Sequence, residues 1–336
     1  MIKIYNSLTS KVEEFHTIQE NEVRMYVCGP TVYNDSHIGN SRPVVFFDVV
    51  ARFLRFLGFQ VTYVTNFTDI DDKIIARAEE EKVSEEEVAQ KYIDAFLLLR
   101  KQLNCLAHDC NPRVSQFMDQ IIEYIDILIS KDGAYVVDGD VYFSIEAVSD
   151  YGKLSGQSVE NLQSGARIQE NTKKKSPIDF TLWKKTTQGQ RWDSPWSSGR
   201  PGWHTECVVM IDSIFKGKID IHGGGMDLKF PHHDNEIAQS ECMHNHAIAN
   251  YWMHNGRIEF SGDKMSKSEG NVIWTKDLLQ EFPYQVFRLL LLNVPYRQPI
   301  NYKRELIEQI TADYEKIERA YVGLFRKIEL TYGITA

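Results

Sequence analysis

His232 and Glu236 stand four residues apart, a spacing that puts both side chains on one face of a helix. A helix can offer two ligands to one metal ion in this way, as the H-x-x-x-H pairs of zinc proteins do. In isolation the pair reads as a surface hydrogen bond. Cys28 and Cys207 change that reading, because two thiols, an imidazole and a carboxylate make a Cys₂HisGlu set of soft and borderline donors suited to zinc. A second chemistry is written in the loop from Ser261 to Gly270, where Lys264 and Lys267 lie three apart with a glycine near each end. Such a loop can close over a polyphosphate and bring an ammonium to developing charge. Its plainer reading is a solvated basic turn.

Other candidates lie where strands run out. Met25 to Val27 have strand character, and Gly29-Pro30 ends it. His37 and Asn40 then precede an apolar run, Val44-Val45-Phe46-Phe47 to Leu57, closed by Gly58. The run reads as a buried helix whose positive end favours an anion such as phosphate. Val61 to Thr65 is a β-branched strand that completes a β-α-β unit with parallel strands. Asn66-Phe67-Thr68-Asp69-Ile70-Asp71-Asp72-Lys73 follows at the carboxyl edge, where ligands of open α/β sheets bind. Thr68 or Asp69 is the expected cap of a helix over 73–81, with Asp71 and Asp72 in its first turn. After the strand Ile219 to His222 comes Gly223-Gly224-Gly225, which permits close backbone approach and unusual φ values, with Asp227 close behind. That triplet is a loop or a nucleoside shelf. Pro231 is expected in the first turn of the helix carrying His232 and Glu236.

The remaining elements frame these positions. Helices are expected over 85–103, 115–130, 207–215 and 278–293, the last interrupted by Pro283. From about 131 to 199 the chain turns to short strands and polar turns, as an insertion would, and Lys173-Lys174-Lys175 reads as a solvated loop. Cys105 and Cys110, beside His108 and Asp109, are a weak metal candidate lacking a second C-x-x-C pair. Leu306, Ile310, Tyr314, Ile317, Tyr321, Leu324 and Ile328 form a long apolar stripe that needs a partner, the start of a helical bundle this chain does not complete.

Composition is that of an ordinary globular chain, 43% hydrophobic and 25% charged, which leaves ample material for a core over 336 residues. A net charge of −9 argues against nonspecific coating of nucleic acid, though a local basic surface is compatible with it. Five cysteines, an odd number, suggest no disulfide framework. Without a run of eighteen apolar residues or a secretory pattern, the expected location is the cytoplasm, with no membrane contact.

Together these motifs resemble the cysteinyl-tRNA synthetases, class I aminoacyl-tRNA synthetases. The resemblance rests on Cys28-Gly-Pro-Thr-Val-Tyr, the HIGH-type His37-Ile38-Gly39-Asn40, Thr68 to Lys73, Gly202-Trp203-His204-Thr205-Glu206-Cys207, His222-Gly-Gly-Gly, Pro231-His232-His233 and the KMSKS of Lys264 to Ser268. It implies an α/β fold, a Rossmann-type parallel-sheet catalytic domain with an inserted connective domain, followed by a mostly helical region. The implied divisions are 1–115 and 201–250 for the two catalytic halves and 116–200 for the insertion. The KMSKS loop with a stem-contact region takes 251–303, and 304–336 begins the incomplete bundle. The resemblance also implies one zinc ion on Cys28, Cys207, His232 and Glu236, Mg²⁺ with ATP, and a monomer acting on ATP, L-cysteine and tRNA(Cys). Cysteine contacts fall at Gly29, Thr68, Trp203 and His222, and ATP contacts at His37, Asn40, Gly225, Asp227 and Lys267. His37, Asn40, Lys264 and Lys267 would serve adenylate formation. Asn40 stands where the family has its second histidine; its amide can donate to phosphate but cannot be cationic. The chain stops where the family's tRNA-stem and anticodon helices run, so a fragment would keep adenylate formation and charge tRNA weakly. Two other readings stay open, a cysteinyl-adenylate ligase with an amino-sugar acceptor and a non-charging paralogue.

Overall fold

The computed structural model describes residues 2–159, 173–260, 263–264 and 272–333. The chain divides into two compact units, Met1–Asn34, Val49–Ala95 and Ala107–His254 in the first, and Asp35–Asp48, Phe96–Leu106 and Asn255–Ala336 in the second. Among the described residues no helix is long and apolar enough to cross a membrane.

The first unit opens with a hairpin, β1 (Lys3–Asn6) against β2 (Lys11–Glu14). Its central strand is β3 (Glu22–Val27), followed by α1 (Ile38–Phe56), which supplies residues to both units. β4 (Gln60–Thr65) then pairs parallel with β3 from Glu22↔Gln60 to Val27↔Thr65, the β-α-β unit expected from the sequence. α1 begins six residues ahead of the apolar run that announces it. Pro43 lies inside, just past the first turn, where its ring removes a single backbone donor. Gly58 ends the segment at φ +94°, a left-handed value that favours glycine.

Next come α2 (Asp72–Glu81), α3 (Glu85–Gln102) and α4 (Met118–Ser130). The cap of α2 differs from expectation. Asp71 holds it, accepting from the Lys73 N–H at 2.8 Å, while Asp69 is turned to Ser115 and Thr68 to Glu206. Two partners distant in sequence, the buried Glu206 and the half-buried Ser115, thus outcompete the local capping role of those side chains.

A second sheet is antiparallel, in the order β5-β6-β7-β9-β8. Its strands are β5 (Ala134–Val137), β6 (Asp140–Phe143), β7 (Phe180–Lys185), β8 (Trp192–Asp193) and β9 (Ser198–Pro201). Lys173 to Lys175 are more than a solvated loop. Lys173 pairs with Asp140 at 3.1 Å, and the Lys174 and Lys175 ammonium groups lie 5.9 and 4.4 Å from the Tyr142 and Tyr135 rings.

α5 (Glu206–Phe215), β10 (Ile219–Gly225), α6 (Asp234–His244) and β11 (Ala249–Asn255) complete the first unit. The main sheet has the order β11-β10-β3-β4, with β10 parallel to β3. Val23, Met25 and Val27 of β3 and Ile219 and Ile221 of β10 are buried, as strands of a covered parallel sheet must be. The glycine triplet belongs to β10 rather than to a loop, and none of its φ values is positive. Close approach is its purpose, since a Cβ on Gly224 would stand 3.0 Å from the His233 ring. Pro231, in a cis peptide bond with Phe230, lies in a wide turn before α6 instead of in its first turn.

In the second unit β12 (Ile258–Phe260) pairs antiparallel with β13 (Asp263–Lys264) and parallel with β14 (Ile300–Tyr302). Pro283 separates α7 (Thr275–Glu281) from α8 (Tyr284–Leu292), the expected interruption. α9 (Arg304–Tyr332) buries Ile307 and Ile310 with Val286, Phe287 and Leu290. Farther along, Ile317, Tyr321 and Leu324 of its apolar stripe are exposed. Arg42 of α1 is buried here, and its Nη1 donates to the carbonyls of Gly256, Arg257 and Gln298 at 2.7, 3.1 and 2.7 Å. Burial lowers its pKa to about 10. Its three carbonyl partners lie at the entrances to β12 and β14. Arg42→Met strands the Gln298 carbonyl, while those of Gly256 and Arg257 keep Asn255 Nδ2 and the Ile300 N–H as donors, and is expected to cost about 2 kcal/mol. Urea denaturation should show a lower midpoint at an unchanged slope; an unshifted midpoint would mean that the Gln298 carbonyl finds another donor.

Candidate active site

Three elements of the first unit bring the expected metal ligands together. Cys28 follows the carboxyl end of β3, Cys207 lies in the first turn of α5, and His232 and Glu236 flank the start of α6. The Cys28 Sγ is 3.6 Å from the Cys207 Sγ, 3.5 Å from His232 Nε2 and 3.6 Å from Glu236 Oε1. His232 Nε2 is 2.9 Å from Glu236 Oε1, and all four donor atoms lie within 4.8 Å of one another. A tetrahedral ion with sulfur at about 2.3 Å and nitrogen or oxygen at about 2.0–2.1 Å sets its donors about 3.3–3.8 Å apart. Three of the four measured separations fall in that range, and the His232–Glu236 distance is that of a hydrogen bond.

The chemistry of the donors fits a metal as well. Cys207 is pulled down to about 6 by its hydrogen bond from Cys28, whereas burial pushes the Cys28 thiol well up. The two sulfurs therefore share a proton, as a pair of poised thiolate ligands would. Although burial opposes ionisation of Glu236, His222 and His232 hold its carboxyl well below the usual range. Burial likewise works against a charged His232, yet Glu236 and Cys207 raise it to about 10. A buried set of this kind needs internal charge pairing or an ion.

Surrounding rings orient the ligands. His204 Nδ1 meets His232 Nδ1 at 3.1 Å, and the Trp203 ring stacks on His232 at 4.6 Å and 23°. Burial lowers His204 to about 3, so its ring is neutral. His222 Nε2 donates to Glu236 Oε2 at 2.6 Å while its ring stacks on Trp252 at 4.5 Å. The buried His222 Nδ1 has no partner among the described residues, which places the ring proton on Nε2. His233 Nε2 approaches the Cys28 Sγ to 3.4 Å, and His233 Nδ1 lies 2.8 Å from His254 Nε2. With His222, His233, Cys28 and Glu236 also form a close donor group, so the ligand cluster is wider than four residues.

Gly29 and Thr68 adjoin this centre through Asn66. The Gly29 N–H donates to Asn66 Oδ1 at 2.9 Å, and a Cβ on Gly29 would come within 1.7 Å of the Asn66 carbonyl oxygen. Thr68 Oγ1 donates to Glu206 Oε2 at 2.9 Å. Burial pushes the Glu206 carboxyl well up. Gly225 and Asp227 follow at the end of β10, close enough that a Cβ on Gly225 would meet Asp227 Oδ1 at 2.5 Å.

His37 and Asn40 belong to the second unit. His37 folds back on α1, its Nδ1 accepting from the N–H groups of Gly39 and Asn40 at 3.1 and 3.3 Å. The ring proton therefore sits on Nε2. Asn40 Oδ1 in turn faces the His37 N–H at 3.4 Å. The helix N-terminus is thus capped by the histidine itself, whereas the sequence suggested open amides for an anion. Lys267 lies outside the described residues, and of Lys264 only its strand pairing in β13 is described. Cys105, Cys110 and His108 enter no metal-binding group among the described residues, and Asp109 is taken by Arg55 and the Tyr63 N–H.

Comparison with known proteins gives this geometry its class. The fold is that of a class I tRNA synthetase: it matches the Mycobacterium tuberculosis methionyl-tRNA synthetase in complex with methionyl-adenylate with a TM-score of 0.67, at 15% identity, over 86% of this chain and 67% of that one. The chain belongs to the tRNA synthetases class I (C) catalytic domain family, whose model matches residues 14–312. Among its relatives, a Cysteine--tRNA ligase from Acholeplasma laidlawii is 51% identical over 317 residues, 94% of this chain and 73% of the relative. One of the same name from Anoxybacillus flavithermus is 48% identical over 335 residues, 99% of this chain and 72% of the relative.

Titration of metal-free protein with a divalent ion tests the centre. Cys207→Ser is expected to weaken binding at least about a hundredfold, and His204→Phe, which frees the outer nitrogen of His232, about tenfold. Unchanged affinity in Cys207→Ser would place the ion elsewhere.

Proposed function

We propose that this chain is a cysteine–tRNA ligase in which a zinc ion on Cys28, Cys207, His232 and Glu236 selects the thiol of L-cysteine. The convergence of two thiols, an imidazole and a carboxylate from three separated segments carries this reading. Bound there, zinc supplies a contact that sulfur makes and oxygen makes only feebly. An apolar pocket separates such isosteres by only about 1–3 kcal/mol, so the ion removes the need for hydrolytic editing.

The reaction needs no protein nucleophile. The cysteine carboxylate attacks the α-phosphorus of ATP·Mg²⁺, pyrophosphate leaves, and the acyl group passes to the 3′-terminal ribose of tRNA(Cys). Catalysis is positioning and electrostatic stabilisation. Gly29, Thr68, Trp203 and His222 orient the amino acid; Gly225 and Asp227 hold the nucleoside. His37, with its proton on Nε2, donates to phosphate, Asn40 fixes His37, and Lys264 and Lys267 bring positive charge to the leaving pyrophosphate. The enzyme acts as a cytoplasmic monomer, with 116–200 as a connective insertion between catalytic segments 1–115 and 201–250. Residues 251–303 carry the lysine loop and the stem-contact region, and 304–336 begin a helical bundle. An amino-sugar acceptor is not favoured by relatives of about half identity named for tRNA.

ATP–pyrophosphate exchange tests the proposal. Cysteine is expected to outperform serine in kcat/KM by about a thousandfold or more, and removal of the metal should abolish that preference. Lys267→Ala should lower kcat about a hundredfold with the cysteine KM little changed. Equal use of cysteine and serine by metal-loaded protein would contradict it.

A further inference from the structure

Two buried polar residues beside the metal centre have no part in holding an ion. Asn66 and Glu206 are almost wholly inaccessible, yet both contact residues proposed above to meet cysteine. Asn66 Oδ1 accepts the Gly29 N–H at 2.9 Å and lies 3.7 Å from the Cys207 Sγ, while Asn66 Nδ2 faces Thr68 Oγ1 at 3.4 Å. The Thr68 hydroxyl donates a hydrogen bond to Glu206 Oε2 at 2.9 Å. An ionised carboxyl only accepts and a protonated one keeps its carbonyl oxygen as an acceptor, so the Thr68 proton has an acceptor on Glu206 in either state. Beyond the sheet the same two segments stay zipped together. Thr68 N donates to the Pro30 carbonyl at 3.2 Å and Val32 N to the Thr68 carbonyl at 3.1 Å, bridging Thr31 and Thr68.

A hydroxyl has one proton and two lone pairs. At Thr68 the proton goes to Glu206 and one lone pair faces Asn66, which leaves one lone pair as the oxygen's remaining valence. The ligand group it recognises must therefore be a donor. Cysteine carries a thiol, a carboxylate and an α-ammonium, and of these the ammonium is the group rich in donors. We infer that Asn66 and Glu206 are positioning residues that turn the Thr68 oxygen into an acceptor for the α-ammonium group of the amino-acid substrate. Through Asn66 the same network fixes the Gly29 amide and touches a metal ligand, so the ammonium and thiol subsites share one anchor. The inference rests on the cysteine-activating function proposed above.

Two inhibitors of cysteine-dependent ATP–pyrophosphate exchange separate the parts. Cysteamine keeps the thiol and ammonium; 3-mercaptopropanoate keeps the thiol and carboxylate. In Glu206→Met of the 336-residue chain the cysteamine Ki is expected to rise about tenfold, the loss typical of a misaimed hydrogen bond to a charged group, with the mercaptopropanoate Ki within about twofold. Glu206→Gln, which retains an acceptor oxygen, should restore the parent value, and Glu206→Met should add nothing in a Thr68→Val background. Should Glu206→Met not fold, Asn66→Ser carries the same expectation with the same two inhibitors. A parallel rise of both Ki values, no rise in either, or additivity with Thr68→Val overturns the inference alone. A parent chain with no cysteine-dependent exchange overturns the proposed function, and this inference with it.

Discussion

Glu236 is a carboxylate without exposed surface, gripped on one oxygen by His222 at 2.6 Å and on the other by His232 at 2.9 Å. An isolated buried charge of this kind is not tolerated, so the surrounding elements are constrained to bring it compensation. The middle of β10 supplies His222, the turn before α6 supplies His232, and the residue after β3 and the first turn of α5 add two sulfurs. Breaking one member exposes the others to an unbalanced interior. Orientation then propagates outward, from His232 to His204 and Trp203, and from His222 to Trp252.

The parallel sheet explains why these groups can meet at all. Cys28 and Gly29, Asn66 and Thr68, and Gly223 to Gly225 all sit at or just past the carboxyl ends of adjacent strands in the order β10-β3-β4. Residues far apart in sequence become neighbours there because register, not chain proximity, sets their spacing. Small residues keep the edge open: a side chain on Gly29 would strike the Asn66 backbone, and one on Gly224 the His233 ring. The second unit uses its own anchors, with His37 capping α1 and Arg42 collecting three carbonyls.

Much of this was legible before any coordinates. Val61 to Thr65 reads as a strand because β-branched residues fit a pleated surface, and the four-residue spacing of His232 and Glu236, set beside Cys28 and Cys207, nominates a soft and borderline donor set. What could not be read was the partnership of buried polar groups. Asn66, His204, Glu206 and His233 all lie within or beside the recognised motifs, but their roles depend on which side chain folding sets opposite them. Local rules also yielded to tertiary contact. Thr68 and Asp69 are acceptable caps, yet Glu206 and Ser115 claim them and Asp71 takes the cap. Gly223 to Gly225 suggest a loop, whereas all three continue β10, with Gly223 paired to Val27 of β3.

X-ray absorption on zinc-loaded protein tests the central claim most directly, because it counts sulfur at the ion. The account predicts two sulfur scatterers at about 2.3 Å and nitrogen or oxygen at about 2.0–2.1 Å in the resting protein, with a third sulfur on addition of L-cysteine and none on addition of L-serine. A spectrum without sulfur, or one unchanged by cysteine, would contradict it.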